Sequence, residues 1–387
     1  MFYPQYFSLF IFGITISMSG PLLGQMETAF QVDSAEIGLL FSFFSVGFLI
    51  SVLLQYFGSA KFTLARSAVA GQLLHALSLT GFCVNPQYES ALALYLLAGF
   101  AGGAIQISAN AIVARQAREG RSFALSILHL CFGLGALSGP LLASVLVDRM
   151  LSWRWAYGLN AAGALLAFVW IWSASRGHIQ LMNPDQEREG SIPWSQFRKE
   201  PLIALIGLSI LLYVGVEMAI NSWATLYIQA RTSLDAALAG TGVSYFWAAM
   251  TSGRLLMAYA SRKIPPALLV LLLTIFAGLA YFAFLHAETG FGVLLCLTLT
   301  GFAFSGLFPL YLGLAGGIFP AHIKQITAMA MISLGIGFMI FPWLVGQIKE
   351  SANIGLAMQS LLWPLVCMIG LSIPLLGKRH RSAAAAG

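Results

Sequence analysis

The sequence predicts an all-α membrane protein with twelve transmembrane helices in two six-helix bundles related by a parallel pseudo-two-fold repeat. Three observations predict it. First, 59% of the 387 residues are hydrophobic and 9% charged, with a mean hydropathy of +0.83, a composition suited to lipid rather than water. Second, apolar stretches of about 20 residues recur along the chain, each long enough to cross roughly 30 Å of hydrocarbon as a helix. Third, the chain matches itself when shifted by about 202 residues.

The stretches run approximately 6 to 29, 35 to 57, 64 to 84, 90 to 114, 122 to 147, 155 to 175, 202 to 228, 237 to 260, 266 to 286, 291 to 318, 325 to 348 and 354 to 377. The first exceeds a signal-peptide core and lacks both a basic flank and a small-residue cleavage site, so it is expected to remain as a span. It carries Gly13, Ser17, Gly20 and Gly24 on one stripe beside Pro21, the kind of small-residue surface that lets bilayer helices approach closely. Gly99, Gly103, Gln106 and Asn110 repeat that spacing in the fourth span. Pro140, Pro309 and Pro342 fall inside spans, where each frees a carbonyl and permits a bend. Gly133 and Gly139 precede the first of these prolines, and with Pro140, Pro342 and Arg254 they are expected to have gating or structural roles. Cys83, Cys131, Cys296 and Cys367 have no metal-ligand spacing and read as small apolar residues. Residues 381–387 read as a tail left from cloning.

Charge fixes the expected orientation. With the N-terminus inside, Lys61, Arg66, Arg115, Arg118, Arg121, Arg176, Arg188, Arg198, Lys199, Arg262, Lys263, Lys324, Lys378, Arg379 and Arg381 fall in cytoplasmic segments. Only Arg149, Arg154, Arg231 and Lys349 fall outside. Excess Lys and Arg mark the cytoplasmic side, so both termini are expected there. Trp153, Trp155 and Trp194 read as interfacial anchors.

The self-match pairs Ser42–Phe44 with Ser244–Phe246, Lys61 with Lys263, Gly99–Ala101 with Gly301–Ala303, and Gly133–Pro140 with Gly335–Pro342. Each match is weak alone, but all share one register, which argues for a duplicated unit. Six spans is an even number, so the two copies enter from the same side. The expected division is an N-terminal bundle over 1–177, a polar cytoplasmic linker over 178–200 and a C-terminal bundle over 201–380.

Within the seventh span, Ser209, Tyr213, Glu217 and Asn221 share one helical sector. Glu217 alone among the carboxylates lies near mid-depth. An ionised carboxylate there costs several kcal/mol unless it is compensated, so Glu217 must face the bundle interior, a wet cavity, a cation or a proton. Low dielectric favours the uncharged form, which makes Glu217 a candidate proton-coupling group. Sodium, with Asn221 and nearby hydroxyls as added ligands, and a permanently protonated structural role are the alternatives. Arg254 lies on the next span about 10 Å nearer the cytoplasm at 1.5 Å per residue. A snorkelling or inner-gate role is therefore expected for it rather than a direct pair with Glu217. Gln106, Asn110, His129, Asn160, Tyr213, Asn221, Tyr245, Trp247, Trp343 and Gln347 are candidates for lining one cavity. Aromatic faces with amide neighbours suit a sugar or another polar organic molecule. His75 and His129, as lone imidazoles, read first as helix-to-helix hydrogen bonds.

The chain lacks a Gly-x-x-x-x-Gly-Lys-[Ser/Thr] loop, a His-Glu-x-x-His pair, a Gly-x-Ser-x-Gly elbow and any Cys/His cluster. ATP-driven pumping, membrane-embedded hydrolysis and metal catalysis are therefore not expected, nor is any cofactor or bound metal.

Twelve spans, the six-plus-six repeat and the charged central loop resemble the major facilitator superfamily over essentially the whole chain. Gly102–Ala114 (GGAIQISANAIVA) resembles the fourth helix of fucose/proton symporters and related glucose transporters. Leu128–Pro140, Tyr213–Trp223 and Gly301–Pro309 are similar to their fifth, seventh and tenth helices. Two departures stand out. Ala60 lies near the position where the superfamily's Gly-x-x-x-Asp-Arg loop carries Asp. Gly24 and Gln106 stand where fucose symporters carry carboxylates in the first and fourth helices, which leaves the coupling role to Glu217.

The resemblance implies a secondary active transporter in the bacterial cytoplasmic (inner) membrane, working by alternating access, with proton-coupled uptake of a small polar organic solute such as a sugar. Its partners would be that solute, a proton or sodium, and membrane lipid; no nucleic acid is implied, and a monomer is expected. Gly133–Pro140 also resembles the Gly-Pro motif of proton antiporters, so proton-driven efflux of an amphipathic compound is the alternative. A non-transporting sensor with the same fold is the remaining class.

Overall fold

A computed structural model describes residues 2–57, 63–84, 87–117, 121–176, 200–319 and 322–377. Lys61 and Ala60, Arg118, the linker with Arg188, Trp194, Arg198 and Lys199, and Lys378, Arg379, Arg381 and the tail lie outside these residues, and the side chains of Arg121 and Lys324 are not described. The described chain is almost entirely helical. In order the helices are α1 Phe2–Ser17, α2 Ser19–Phe30, α3 Ser34–Phe57, α4 Leu64–Val84, α5 Tyr88–Gln116, α6 Arg121–Asp148 and α7 Arg154–Ser175. They continue as α8 Pro201–Arg231, α9 Ala236–Ala260, α10 Pro266–His286, α11 Gly290–Phe304, α12 Leu307–Ile318, α13 Ile323–Ser351, α14 Ile354–Gln359 and α15 Leu362–Leu376.

Among the described residues ten stretches of helix are long and apolar enough to cross a membrane, and eleven when the bent pair α1 and α2 is taken as one span. Two of the ten, Gly290–Ile318 and Ile354–Leu376, each join two helices, α11 with α12 and α14 with α15. The expected eighth span is α9, 25 residues long. Its length suffices, but Thr241, Ser244, Thr251, Ser252 and Arg254 dilute its apolar character.

Breaks fall where the chain loses backbone donors. The first span bends by 53° between α1 and α2, just before Pro21, whose missing N–H leaves the Ser17 carbonyl without its helical partner. The tenth span breaks at Ser305–Gly306, ahead of Pro309, for the same reason. Helices α6 and α13 instead run unbroken through Pro140 and Pro342. The bends permitted at those two prolines are therefore not taken as breaks.

The repeat is written into backbone contacts. A β-carbon on Gly99 of α5 would run into the Phe44 carbonyl oxygen of α3, and one on Gly301 of α11 into the Phe246 carbonyl oxygen of α9. Both members of the second pair lie 202 residues beyond the first. The same shift relates the seams between halves. Gly133 of α6 takes Thr251 of α9 against its open face, and Gly335 of α13 takes Leu49 of α3. The seams α6/α9 and α3/α13 thus exchange partners about one axis, and the absence of a side chain at each glycine lets the helices close up.

Candidate functional site

Between the halves lies a cavity of about 620 Å³, in the range of small-molecule sites. Its wall draws on α1, α3 and α5 through Phe12, Phe44, Phe48 and Gln106, and on α6 through Ser126, His129 and Phe132. From the other half come Tyr213, Glu217 and Met218 of α8 and a full stripe of α9. That stripe is Trp247, Thr251, Arg254, Ala258 and Ser261, the last just past the helix end. Their spacing of four, three, four and three residues holds them on one helical face. Phe308, Pro309 and Leu310 of α12 and Leu334 and Phe338 of α13 close the wall.

The mouth is set by topology. Ser126 near the start of α6 and Ser261 beyond the end of α9 lie at the same end of the bundle. That end also receives the end of α7 and the start of α8. At the opposite end the halves are shut. Gly20 of α2 abuts the Asn221 carbonyl of α8, and Ser42 of α3 donates its hydroxyl to the Met339 carbonyl of α13 at 2.8 Å.

Glu217 is 6% exposed and sits on this wall. The Tyr213 hydroxyl, one helical turn away, lies close enough to act on its carboxyl group. Tyr213 is itself packed edge-on against Phe304 at 5.4 Å, which fixes the direction of that hydroxyl. Arg254 faces the same space, close enough for its charge to act on Glu217 and on His129. No ion pair joins Arg254 to a carboxylate among the described residues; its guanidinium instead reaches the Met250 sulfur at 3.5 Å. The absence of a direct Glu217–Arg254 pair is the arrangement the depth argument expects.

Of the residues expected around one cavity, Gln106, His129, Tyr213, Glu217 and Trp247 are brought together, and Arg254 joins them. Asn110 is not on the wall: its amide turns back to donate to the Gln106 carbonyl at 2.8 Å. Asn221 is fully buried one turn beyond Glu217, donating to the Ile16 carbonyl at 3.1 Å and accepting from the Trp247 indole at 2.8 Å. It joins α1 to α8 and α9 instead of facing a solute. Tyr245 is 48% exposed on the outer surface of α9, because it lies two residues, about 200°, from the cavity-facing Trp247. Trp343 packs its backbone against Gly38 in the α3/α13 seam. Gln347 lies further along α13, with its carbonyl accepting from Ser351 at 2.9 Å. Gly139 sits against Ser17 and Ile14 within the first half, whereas Gly133 meets Thr251 in the seam. Asn160 and His75 meet at Thr15, away from the cavity, with oxygen distances of 2.7 and 2.9 Å.

Sequence reasoning missed Thr251, Ser126, Ser261 and most of the apolar wall. Thr251 and Ser261 were readable from their spacing with Trp247 and Arg254. The phenylalanines carried no such signal, since Phe at helical spacing is equally a core residue.

A two-halved helical cage around one central cavity with a buried carboxyl group is the architecture of an alternating-access carrier. The sequence profile described as Major Facilitator Superfamily matches residues 6–347. The chain belongs to the Major Facilitator Superfamily. It is a membrane transporter of that superfamily and not an enzyme. Among similar sequences is the glucose/mannose transporter GlcP of Bacillus subtilis (strain 168), 23% identical over 339 residues, covering 86% of this chain and 84% of GlcP. Another is the TsgA homolog of Buchnera aphidicola subsp. Schizaphis graminum (strain Sg), 20% identical over 312 residues, covering 80% and 79%. Among solved structures, a D-xylose-proton symporter superposes with a TM-score of 0.79 at 14% identity, over 97% of this chain and 96% of that one. This likeness concerns the superfamily fold.

Proposed function

We propose that this superfamily member takes up a small polar organic solute, of which a sugar is the leading class, together with a proton carried by Glu217. The observation that carries the reading is Glu217 itself, buried on the wall of the central cavity beside Tyr213 and in no ion pair among the described residues. A carboxyl group so placed is stable when protonated, and needs solvent, a cation or a moved neighbour when ionised. Tilting the halves to open the other end would supply that change. The excess of Lys and Arg at the mouth end supports a cytoplasm-facing cavity, with both termini on the same side. Sodium is less well served, because the Asn221 oxygen already accepts the Trp247 N–H. The likeness to a glucose/mannose transporter and to a D-xylose-proton symporter supports a sugar as the class to test first.

The test is uptake into proteoliposomes after a pH jump, with labelled glucose, mannose and xylose, for the wild type and Glu217→Gln. The variant is expected to bind and exchange the solute but not to concentrate it. Full accumulation by Glu217→Gln assigns coupling elsewhere.

One observation favours a second reading. Apart from its polar groups the wall is aliphatic and aromatic, with Phe12, Phe44, Phe48, Phe132, Phe308 and Phe338 among its residues. Such a lining also suits proton-driven export of an amphipathic compound, which would show the opposite flux direction in oriented vesicles.

A further inference from the structure

We propose that the solute carried by this protein is an organic anion, and that Arg254 is the group that takes its carboxylate. This rests on the proton-coupled reading above and, within its small polar solutes, singles out acids, sugar acids included, over neutral sugars.

Within the cavity wall the charged side chains are Arg254 and, when ionised, Glu217. The other titratable groups facing them are His129 from α6, Tyr213 from α8 and, behind Tyr213, Tyr311 from α12. Guanidinium is a permanent cation in proteins. Arg254 is half-buried, bonded to a methionine sulfur and to no carboxylate among the described residues. A fixed cation on the wall of a low-dielectric chamber is costly unless an anion accompanies it. Two anions can do so: ionised Glu217, or one that arrives from outside. Guanidinium presents a planar fork of donors that matches a carboxylate.

Charge bookkeeping then couples the two loads. The empty cavity with Glu217 ionised is neutral. With a bound carboxylate and Glu217 protonated, it is neutral again. The anion alone leaves one negative charge, and the proton alone leaves one positive charge. Closing the halves over a net charge costs several kcal/mol, so the two neutral states are the ones that cross. The solute and Glu217 compete for one cation, and that competition enforces one proton per anion. A neutral sugar with a proton would leave Arg254 uncompensated in the closed state. The aromatic wall of Phe12, Phe44 and Trp247 is left for the body of the solute.

The prediction separates from the proton-coupling reading because it concerns Arg254 and electrical signature. Purified protein is heated with gluconate, benzoate or glucose. The wild type and Arg254→Lys are expected to gain thermal stability with at least one carboxylate, and Arg254→Gln to lose that gain. In proteoliposomes the stabilising carboxylate should accumulate under a pH gradient with the potential clamped by potassium and valinomycin, and a potential alone should drive none. Gluconate against benzoate distinguishes a polyhydroxylated from an aromatic acid. Stabilisation by glucose alone, stabilisation by neither acid, an undiminished effect in Arg254→Gln, or uptake driven by potential alone overturns the proposal. Accumulation that survives in Glu217→Gln would instead remove the proton carrier while leaving the Arg254 anion site in place.

Discussion

Lys349, near the end of α13, lies 3.2 Å from Glu27 of α2 and so ties the two halves together at the end opposite the cavity mouth. The Ser34 hydroxyl donates to Glu27 at 2.8 Å, the Lys349 ammonium contacts the same hydroxyl, and the Ser34 N–H donates to Glu350 at 3.4 Å. The ammonium also lies 5.5 Å from the centre of the Trp223 ring. These contacts exist only while that end is closed. They therefore stabilise the conformation with the cavity open at the other end.

Lys349→Gln is expected to shift the conformational equilibrium more than the fold's stability. Both side chains are about one-fifth exposed, 23% and 20%, so the pair contributes about 1 kcal/mol at most. That amount still changes a two-state population by roughly five-fold. Spin labels on Ala29 and Ala352, both exposed, in a cysteine-free background should show a longer-distance population in the variant. An unchanged distance distribution would remove the latch role.

Gly99→Ala is expected to destabilise the first half, and Gly301→Ala the second. Each β-carbon would meet a backbone carbonyl on the facing helix, Phe44 and Phe246 respectively, and backbone cannot rotate away as a side chain can. Overpacking of this kind costs about 1–3 kcal/mol. Gly313→Ala is the control, since nothing lies within 4 Å of its added carbon. Thermal melts in detergent should lower Tm for the first two variants and leave the third near wild type; equal behaviour of all three would refute the close-contact account.

The same pair of glycines shows why so much of the fold was legible. Gly99 and Gly301 are the same letter 202 residues apart, and the structure gives them the same packing duty. Span positions were equally readable, because an apolar run of bilayer length leaves few alternatives; Leu64–Val84 and Pro266–His286 fall where the hydropathy places them. Glu217 was found because a carboxylate at mid-depth demands a reason. What failed was direction around the helix axis. Tyr245 and Trp247 are two residues apart, one on the outer surface and one on the cavity, and composition cannot tell those faces apart when lipid and protein interior are equally apolar. Asn221 failed differently: its sector was right, but the Ile16 carbonyl of α1 and the Trp247 indole of α9 take up the amide.

Thr15 provides the last test, on a polar cluster inside the first half. Its hydroxyl lies 2.7 Å from the Asn160 amide nitrogen, 2.9 Å from His75 Nε2 and 3.2 Å from the Ile11 carbonyl. A hydroxyl has one hydrogen to give and can accept two. The amide must donate, and Ile11 can only accept, so the arrangement closes when Thr15 donates to Ile11 and accepts from His75. That assigns the proton to Nε2 and leaves Nδ1 bare, in agreement with the absence of any partner at His75 Nδ1. Thr15→Val would strip an acceptor from two buried donors at once, each worth about 1–3 kcal/mol when left unpaired. Thr15→Ser keeps the oxygen and loses one methyl group, a change of about 1 kcal/mol. Thermal melts are therefore expected to place Thr15→Ser close to the wild type and Thr15→Val well below both. The reverse order would mean that packing of the methyl group, and not the shared acceptor, holds α1 against α4 and α7.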